Sequence, residues 1–350
     1  MNLPIQPPFA PMEARLVDRI PVGAGWLYEP KWDGFRCLMF RDENRVVLQS
    51  KSGKPLGRYF PEMVRDLQGL APNRFVLDGE IVVPVQGVFS FDDLLQRIHP
   101  AASRIDRLAR ETPARLILFD LLVTAEGTDL TREPLSVRRR RLEAFSRSYL
   151  QSAGRITISE AVIDARTAEA WLAASGADRD GVIAKRLDLA YRSGERSGMQ
   201  KVKKRRTADC VVGGFRYSTA AYAGGGLAGA ERREVGSLLL GLYDEQGLLH
   251  HVGFCSGLNG TERRALVDRL EPLIEPPGFT GSAPGGASRW STERSGQWHP
   301  LAPRLVVEVQ WDHFTGGRFR HGTRLLRWRP DKPPRQCTFA QVAPGTSNRR

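Results

Sequence analysis

Along the first two-thirds of the chain, apolar residues fall into two spacings. Runs rich in β-branched and large apolar side chains at Arg45–Gln49, Phe75–Val83 and Arg115–Leu122 predict strands, and the short run Gly181–Lys185 predicts another. Apolar positions three and four apart at Phe60–Leu70, Leu135–Leu150 and Ala168–Ser175 predict helices. No segment repeats.

After about Arg206 the texture changes. Ala208–Tyr217, Ser237–Tyr243, Leu248–Phe254, Leu305–Trp311 and Thr323–Trp328 are short strand-like runs divided by turns, with one helical segment, Thr261–Leu273, between the third and fourth. Five strands with one intervening helix suit a small barrel of the OB type. The expectation is therefore an α+β chain in two domains, residues 1–206 and 207–350. The glycine-rich stretch Ala220–Gly229 and the segment Gly278–Gly296 predict mobile insertions in the second domain. The basic string Lys201–Arg206 marks the junction, with a hinge expected near Arg205–Thr207.

Charge sharpens the picture. Fifty-two Lys and Arg against 39 Asp and Glu leave a net +13, which favours a polyanionic partner, nucleic acid first among them. Cys37, Cys210, Cys255 and Cys337 are far apart, with no C-x-x-C pair, so free thiols in a reducing compartment are expected. The proline-rich start, Met1–Pro11, lacks a basic segment followed by an apolar core, and no apolar run reaches membrane-spanning length. A cytoplasmic protein with no membrane association is the expectation.

Chemistry concentrates in a few places. Glu29-Pro30-Lys31-Trp32-Asp33-Gly34-Phe35-Arg36 sets one lysine among an acid, a glycine and an arginine. A lysine amine becomes a nucleophile when burial or nearby cations such as Arg36 lower its pKa. Asp78 and Glu80, in Leu77–Val82, are two apart and so share a strand face, which suits a ribose or a metal, or else a half-exposed edge strand. Phe119-Asp120 interrupts an apolar strand, and Phe119 is open to two readings, a base-stacking ring or a core aromatic. Asp180–Arg186 again joins an acid, a glycine and a lysine, and Lys201-Val202-Lys203 throws two lysines to one side, suited to a phosphate or to a solvated linker. Arg327-Trp328-Arg329-Pro330-Asp331-Lys332 alternates cations with an aromatic. No phosphate loop, H-E-x-x-H or serine elbow occurs.

In order, these pieces resemble the motifs of the covalent nucleotidyltransferases, specifically the ATP-dependent DNA ligases, with wording similar to the compact bacterial LigC-type enzymes and the ligase module of the end-joining enzyme LigD. The resemblance rests on K-W-D-G-F-R at Lys31, Ser50-Lys51-Ser52-Gly53, L-D-G-E-I-V, Phe119-Asp120, D-G-V-I-A-K-R, K-V-K at Lys201 and R-W-R-P-D-K at Arg327, spread over nearly the whole chain. It departs where Lys51 replaces a frequent arginine and Asp180 a frequent glutamate.

The resemblance implies an ATP-grasp-like nucleotidyltransferase domain of antiparallel sheets with helices, followed by the OB barrel. It implies nick sealing in duplex DNA, in repair or recombination, through a lysyl-AMP on Lys31. It implies an adenine site at Glu29 and Phe119, and Arg36 and Lys51 on ribose or nick phosphate. Glu80 and Asp180 would organise Mg²⁺ or Mn²⁺, with Glu80 also beside the nucleotide. Lys201 and Lys203 would hold the α-phosphate, while Arg327, Arg329, Asp331 and Lys332 would meet the pyrophosphate. Lys204 and Arg205 join Arg36 and Lys51 as DNA contacts. ATP, a divalent metal, nicked DNA, a primase-polymerase among repair proteins, a monomeric state and a place on the bacterial nucleoid complete the expectation. The alternatives are an RNA ligase or an mRNA-capping nucleotidyltransferase, and a silent OB binding module.

Overall fold

The chain switches sheets at Asp33–Gly34, and this switch organises its N-terminal half. The computed structural model describes residues 1–175, 179–204, 206–218, 233–285 and 297–342. Arg205, the Ala220–Gly229 stretch and most of Gly278–Gly296 lie outside the described residues. Two compact units, Met1–Lys204 and Arg205–Arg350, divide the chain. The boundary read from the sequence, 206, falls two residues beyond this division.

In the first unit the strands are β1 Arg15–Leu16, β2 Trp26–Trp32, β3 Phe35–Asp42, β4 Arg45–Ser50, β5 Arg74–Val82, β6 Pro84–Val85, β7 Val88–Phe89, β8 Arg115–Val123, β9 Ile156–Ile158, β10 Arg179–Arg186 and β11 Met199–Val202. One sheet has the order β1-β11-β10-β2, the other β4-β3-β5-β8-β9. Both are antiparallel apart from the edge pairs β1–β11 and β8–β9. β2 and β3 are thus consecutive in the chain but belong to different sheets. Gly34 makes the crossing possible: a Cβ there would lie 2.2 Å from the Ile81 carbonyl oxygen, so no larger residue lets the chain pass so close to β5. Asp78 and Glu80 sit on β5, the centre of the second sheet and not an edge.

Alternation divides the faces. Cys37, Met39, Leu77 and Leu118 point into a core closed by α1 (Pro61–Gly69) and α4 (Leu135–Tyr149), through Met63, Leu67, Leu142 and Phe145. Leu38, Phe40, Val76 and Leu122 face the other way and pack with Leu3, Met12, Tyr191 and Met199. On the first sheet, Tyr28, Val182, Ala184 and Val202 bury one face near the helix Ala165–Ala173, leaving the opposite face for polar residues. The expected helices are present with edges shifted by a few residues. The helices α2 (Phe91–Gln96) and α3 (Ala102–Glu111) escape the pattern because each buries so little: Leu94 in the first, Ile105 and Ala109 in the second.

In the second unit, β12 Arg206–Tyr217, β13 Val235–Tyr243, β14 Leu249–Cys255, β15 His299–Pro300, β16 Val306–Trp311, β17 Phe314–Thr315, β18 Arg318–Phe319 and β19 Arg324–Trp328 follow. The main order is β14-β13-β12-β16-β19, with β15 added to β12. Thr323 N–H donates to the Phe254 carbonyl at 2.9 Å, and a Cys255–Thr323 bridge returns the last strand to the first. Five strands therefore form the closed OB ring. The helix Gly260–Leu270 lies between β14 and β15, started by a capping box of Asn259 and Glu262. Its place between the third and fourth long strands is the one the sequence pattern predicts.

Candidate active site

Strand register puts the chemistry of the first unit on one surface. β10 pairs with β2 so that Ile183 lies opposite Glu29 and Val182 opposite Pro30, then slips before Arg179 and Trp32. At this bulge Asp180 and Gly181 together oppose Lys31. Gly181 takes φ 141°, and a Cβ there would sit 2.0 Å from the Val202 carbonyl oxygen. β11 continues the surface, with Lys201 beside Ile183 and Met199 beside Lys185. Glu29, Lys31, Ile183, Lys185, Met199 and Lys201 accordingly line one cavity. Arg36, Glu80 and Phe119 close it from the second sheet, and Pro11–Ala14 and Lys51 form its rim.

Lys31 Nζ donates to Asp180 Oδ2 at 2.8 Å, and Lys203 Nζ reaches the same oxygen at 2.8 Å. Burial pushes the Lys31 ammonium down, but the charge and hydrogen bond of Asp180, with Asp33 and Glu80 beyond, outweigh it and leave its pKa raised. The depressed Lys31 expected from the sequence is therefore not found in this state. The depressed lysine is Lys201, through burial first and then the cations Lys31, Lys203 and Lys51. Asp180 goes the other way: burial raises its carboxyl, and Lys31 and Lys203 bring it below the ordinary range.

The other predicted residues have partners as well. Glu29 is buried, accepting from Lys185 Nζ at 2.8 Å and Arg139 at 3.4 Å. Burial nevertheless holds its carboxyl above the usual value. Arg36 forks onto Asp78 with two bonds of 2.6 Å, so Asp78 is a buttress and not a free ligand for ribose. The Arg36 guanidinium and the Lys185 ammonium lie 4.4 and 4.5 Å from the centre of the Phe119 ring. Phe119 is thus a buried ring that also lines the cavity. Asp120, its neighbour, is held by both arms of Arg138. Glu80 lies opposite Arg36 on β3. Burial lifts its carboxyl to about 7, with Arg36 and Lys31 pulling against the rise. Lys51 is exposed at the rim and pairs with Glu13 at 3.0 Å; Arg196 meets the same Glu13 oxygen at 3.2 Å.

Lys204 has work within its own unit. Its ammonium donates to the Ala173 carbonyl at 2.8 Å and more weakly to that of Ser175, at the C-terminal end of the helix Ala165–Ala173. The lysine expected to meet DNA thus also caps this helix end. Arg205 lies outside the described residues. Arg327, Arg329 and Lys332 belong to the second unit. Arg329 is buried between Asp209 and Asp331, each at 2.8 Å, whereas Arg327 is half exposed and pairs with Glu308. Lys332 lies 4.0 Å from Asp209.

Sequence reasoning did not single out Arg139, Arg138, Tyr191, Glu13 or Arg196. The bonds that tie them to the site's residues span 18 to 183 positions, where no local spacing signals them. Lys185 was visible within its motif, but its tie to Glu29 was not. Among the described residues no three His, Cys, Asp or Glu side chains converge into a ready-made metal cage. Asp180, through its bond, and Glu80, through its charge, both act on Lys31, and a cation held by one or two carboxylates together with substrate phosphates needs no such cage.

Residues 11–203 match the family model of the ATP dependent DNA ligase domain, and 231–332 that of the ATP dependent DNA ligase C terminal region. The chain is 44% identical to DNA ligase C2 of Mycolicibacterium smegmatis, over 98% of this chain and 96% of that one. It is 32% identical to the multifunctional non-homologous end joining protein LigD of Mycobacterium bovis, over 88% of this chain but 37% of that one. The solved structure Pmar-Lig_PreS3 aligns at 18% identity with a TM-score of 0.59, covering 87% of this chain and 64% of its own, a likeness of fold. Among the described residues no helix is long and apolar enough to cross a membrane.

Proposed function

The chain belongs to the ATP-dependent DNA ligases, and from this premise we infer how its cavity works: Lys31 captures AMP from ATP and passes it to the 5′-phosphate of a nick. The observation that carries this reading is the placement of Lys31 on one surface with Lys185, Lys201 and Glu29, facing Phe119 across the cavity. The cations suit a polyphosphate, and the buried ring with its neighbouring acid suits a base.

Three phosphoryl transfers make the reaction. First, Lys31 Nζ bonds to the α-phosphorus as the bond to pyrophosphate breaks. Next, an oxygen of the 5′-phosphate attacks that phosphorus and Lys31 leaves. Last, the 3′-hydroxyl attacks the 5′-phosphorus, AMP departs and the strand is joined. Such steps depend on in-line positioning and on neutralising phosphate charge. In the free enzyme Lys31 is held as an ammonium by Asp180. Attack therefore requires that pair to open and the amine to lose its proton. Lys203 shares the Asp180 oxygen, so the carboxylate is divided between two ammonium groups and neither has it alone. Lys201, already depressed, and Lys203 are assigned to the α-phosphate, where charge builds in the transition state. Glu29 is assigned to the adenine edge and Phe119 to its face. Arg36 and Lys51 are assigned to ribose and nick phosphate. Arg327, Arg329 and Lys332 are assigned to the pyrophosphate through the motif they share with the family.

Mg²⁺ or Mn²⁺, held by Glu80 and Asp180, would supply charge neutralisation at the phosphates. DNA is gripped mainly through its backbone, as the net +13 suggests, so binding should weaken steeply with salt. The likeness to the end-joining protein LigD supports a role in strand-break repair, where a primase-polymerase is the partner we propose. Intact mass spectrometry after incubation with ATP and Mg²⁺ tests the core of the reading. One AMP should be added at Lys31, none should appear with GTP, and Lys31→Ala should take up none. An adduct on the variant, or a folded protein that never seals a nick, overturns it.

A further inference from the structure

Tyr191 is a buried phenol that the reaction does not use, yet it is bonded to one wall of the cavity and to the carboxylate behind another. Its hydroxyl donates to Asp78 Oδ2 at 2.6 Å and accepts from the Met12 backbone N–H at 3.0 Å. Asp78 is fully buried and is the carboxylate onto which Arg36 forks. Arg36 reaches back to the Met12 carbonyl at 3.4 Å. Tyr191, Asp78, Arg36 and Met12 therefore close a ring of hydrogen bonds. Two members of the ring, Arg36 and Met12, line the cavity.

We propose that Tyr191 is a positioning residue of the nucleotide site: through Asp78 it fixes the Arg36 guanidinium, and through the Met12 N–H it seats the Pro11–Ala14 wall. The physical case is one of restraint. Asp78 Oδ2 takes both Arg36 and Tyr191, and a third donor on a buried carboxylate limits how far its plane can turn. The Arg36 fork follows that plane, which holds the guanidinium over Phe119. Without the hydroxyl, the Met12 N–H loses its acceptor and Asp78 is free to rock. The phenol ring has packing of its own against Phe9 and beneath Arg138, so Tyr191→Phe removes the restraint while keeping the fill. Burial first, then Asp78, raises the phenol pKa well above normal, which keeps the proton on oxygen for donation.

The inference rests on the reading that this cavity takes ATP, and its test separates the two. ATP affinity is measured by calorimetry in a Lys31→Ala background that cannot react, with Tyr191→Phe added alone, Arg36→Lys alone, and both together. Tyr191→Phe should weaken ATP about fivefold or more with Arg36 present, and less than twofold once Arg36→Lys has removed the fork. The same loss in both backgrounds would mean a general packing role and would overturn the proposal, as would affinity unchanged within twofold. If the Lys31→Ala parent binds no ATP, the functional reading fails, and this inference with it. Thermal unfolding of each variant checks that it is folded at the temperature of the titration.

Discussion

Asp180 Oδ2 stands 2.8 Å from Lys31 Nζ, so the lysine proposed as nucleophile is tied to a carboxylate in the free enzyme. The pair raises the lysine and lowers the acid, and each shift has a sign in pH. A lysine raised by folding adds stability at pH values below its unfolded pKa, and that stability is lost as pH climbs through the folded value. Between neutrality and pH 9 the ammonium therefore remains the dominant form. Labelled-AMP transfer to the free enzyme under single-turnover conditions should rise with pH across this range, approaching tenfold per unit where deprotonation limits the rate. A flat profile from pH 7 to 9 would mean that the ion pair opens before the limiting step.

Glu80 gives a prediction in the opposite sense. Its carboxyl is lifted to about 7 by burial, so its ionised form strains the folded state. The strain is absent below the ordinary glutamate pKa, grows as pH rises from there, and is complete above about 7. Glu80→Gln should match the parent in urea unfolding near pH 4 and exceed it at pH 8 by up to about 3 kcal/mol. The same variant should lose adenylation. Equal midpoints at pH 8 would show that the carboxylate is well solvated.

Gly34 is a geometric requirement. A methyl group there would press on the Ile81 carbonyl, and relief would come only by moving β2, and Lys31 with it, away from β5. Gly34→Ala should cost roughly 1–3 kcal/mol of stability. It should also reduce adduct formation at temperatures where the variant is still folded. Full activity would show that Lys31 tolerates a displaced crossing.

The two arginines of R-W-R-P-D-K should behave differently. Arg329 is nearly buried and, among the described residues, is the nearer of two cations to Asp209, so Arg329→Ala leaves that acid only Lys332 at 4.0 Å and should cost about 3 kcal/mol. Arg327 is half exposed on Glu308, and Arg327→Ala should cost under about 1 kcal/mol. If both arginines act on pyrophosphate, each variant, assayed well below its melting temperature, should be more impaired in adenylation than in sealing a pre-adenylated nick. Equal losses in the two assays would remove them from that role.

Lys204 tests a helix end against a phosphate. Lys204→Met should cost roughly 0.3–1 kcal/mol by uncovering the carbonyls at the end of the helix Ala165–Ala173. It should leave the salt dependence of DNA binding unchanged. A lost phosphate contact would instead flatten the slope of log K against log salt by about 0.9.

Much of this site was legible because the family motifs preserve local geometry. Gly34 and Gly181 mark positions where a side chain would collide with a neighbouring strand, and such glycines stand out in the sequence. The five barrel strands and their helix were equally readable from alternation and turns. The pairing of the acids was not. Nothing near Glu29 announces Arg139, and nothing near Asp78 announces Tyr191, because those contacts exist only once β2, β5 and α4 are assembled. The pKa of Lys31 was misjudged for the same reason: counting neighbouring cations in the sequence could not anticipate a strand bulge that sets Asp180 directly opposite.

That bulge also gives the enzyme chemical restraint. A free amine in a cell meets aldehydes, acyl phosphates and other wandering electrophiles. Paired with its aspartate, Lys31 holds its proton more firmly than an unpaired lysine, so a smaller share of it is open to such reagents.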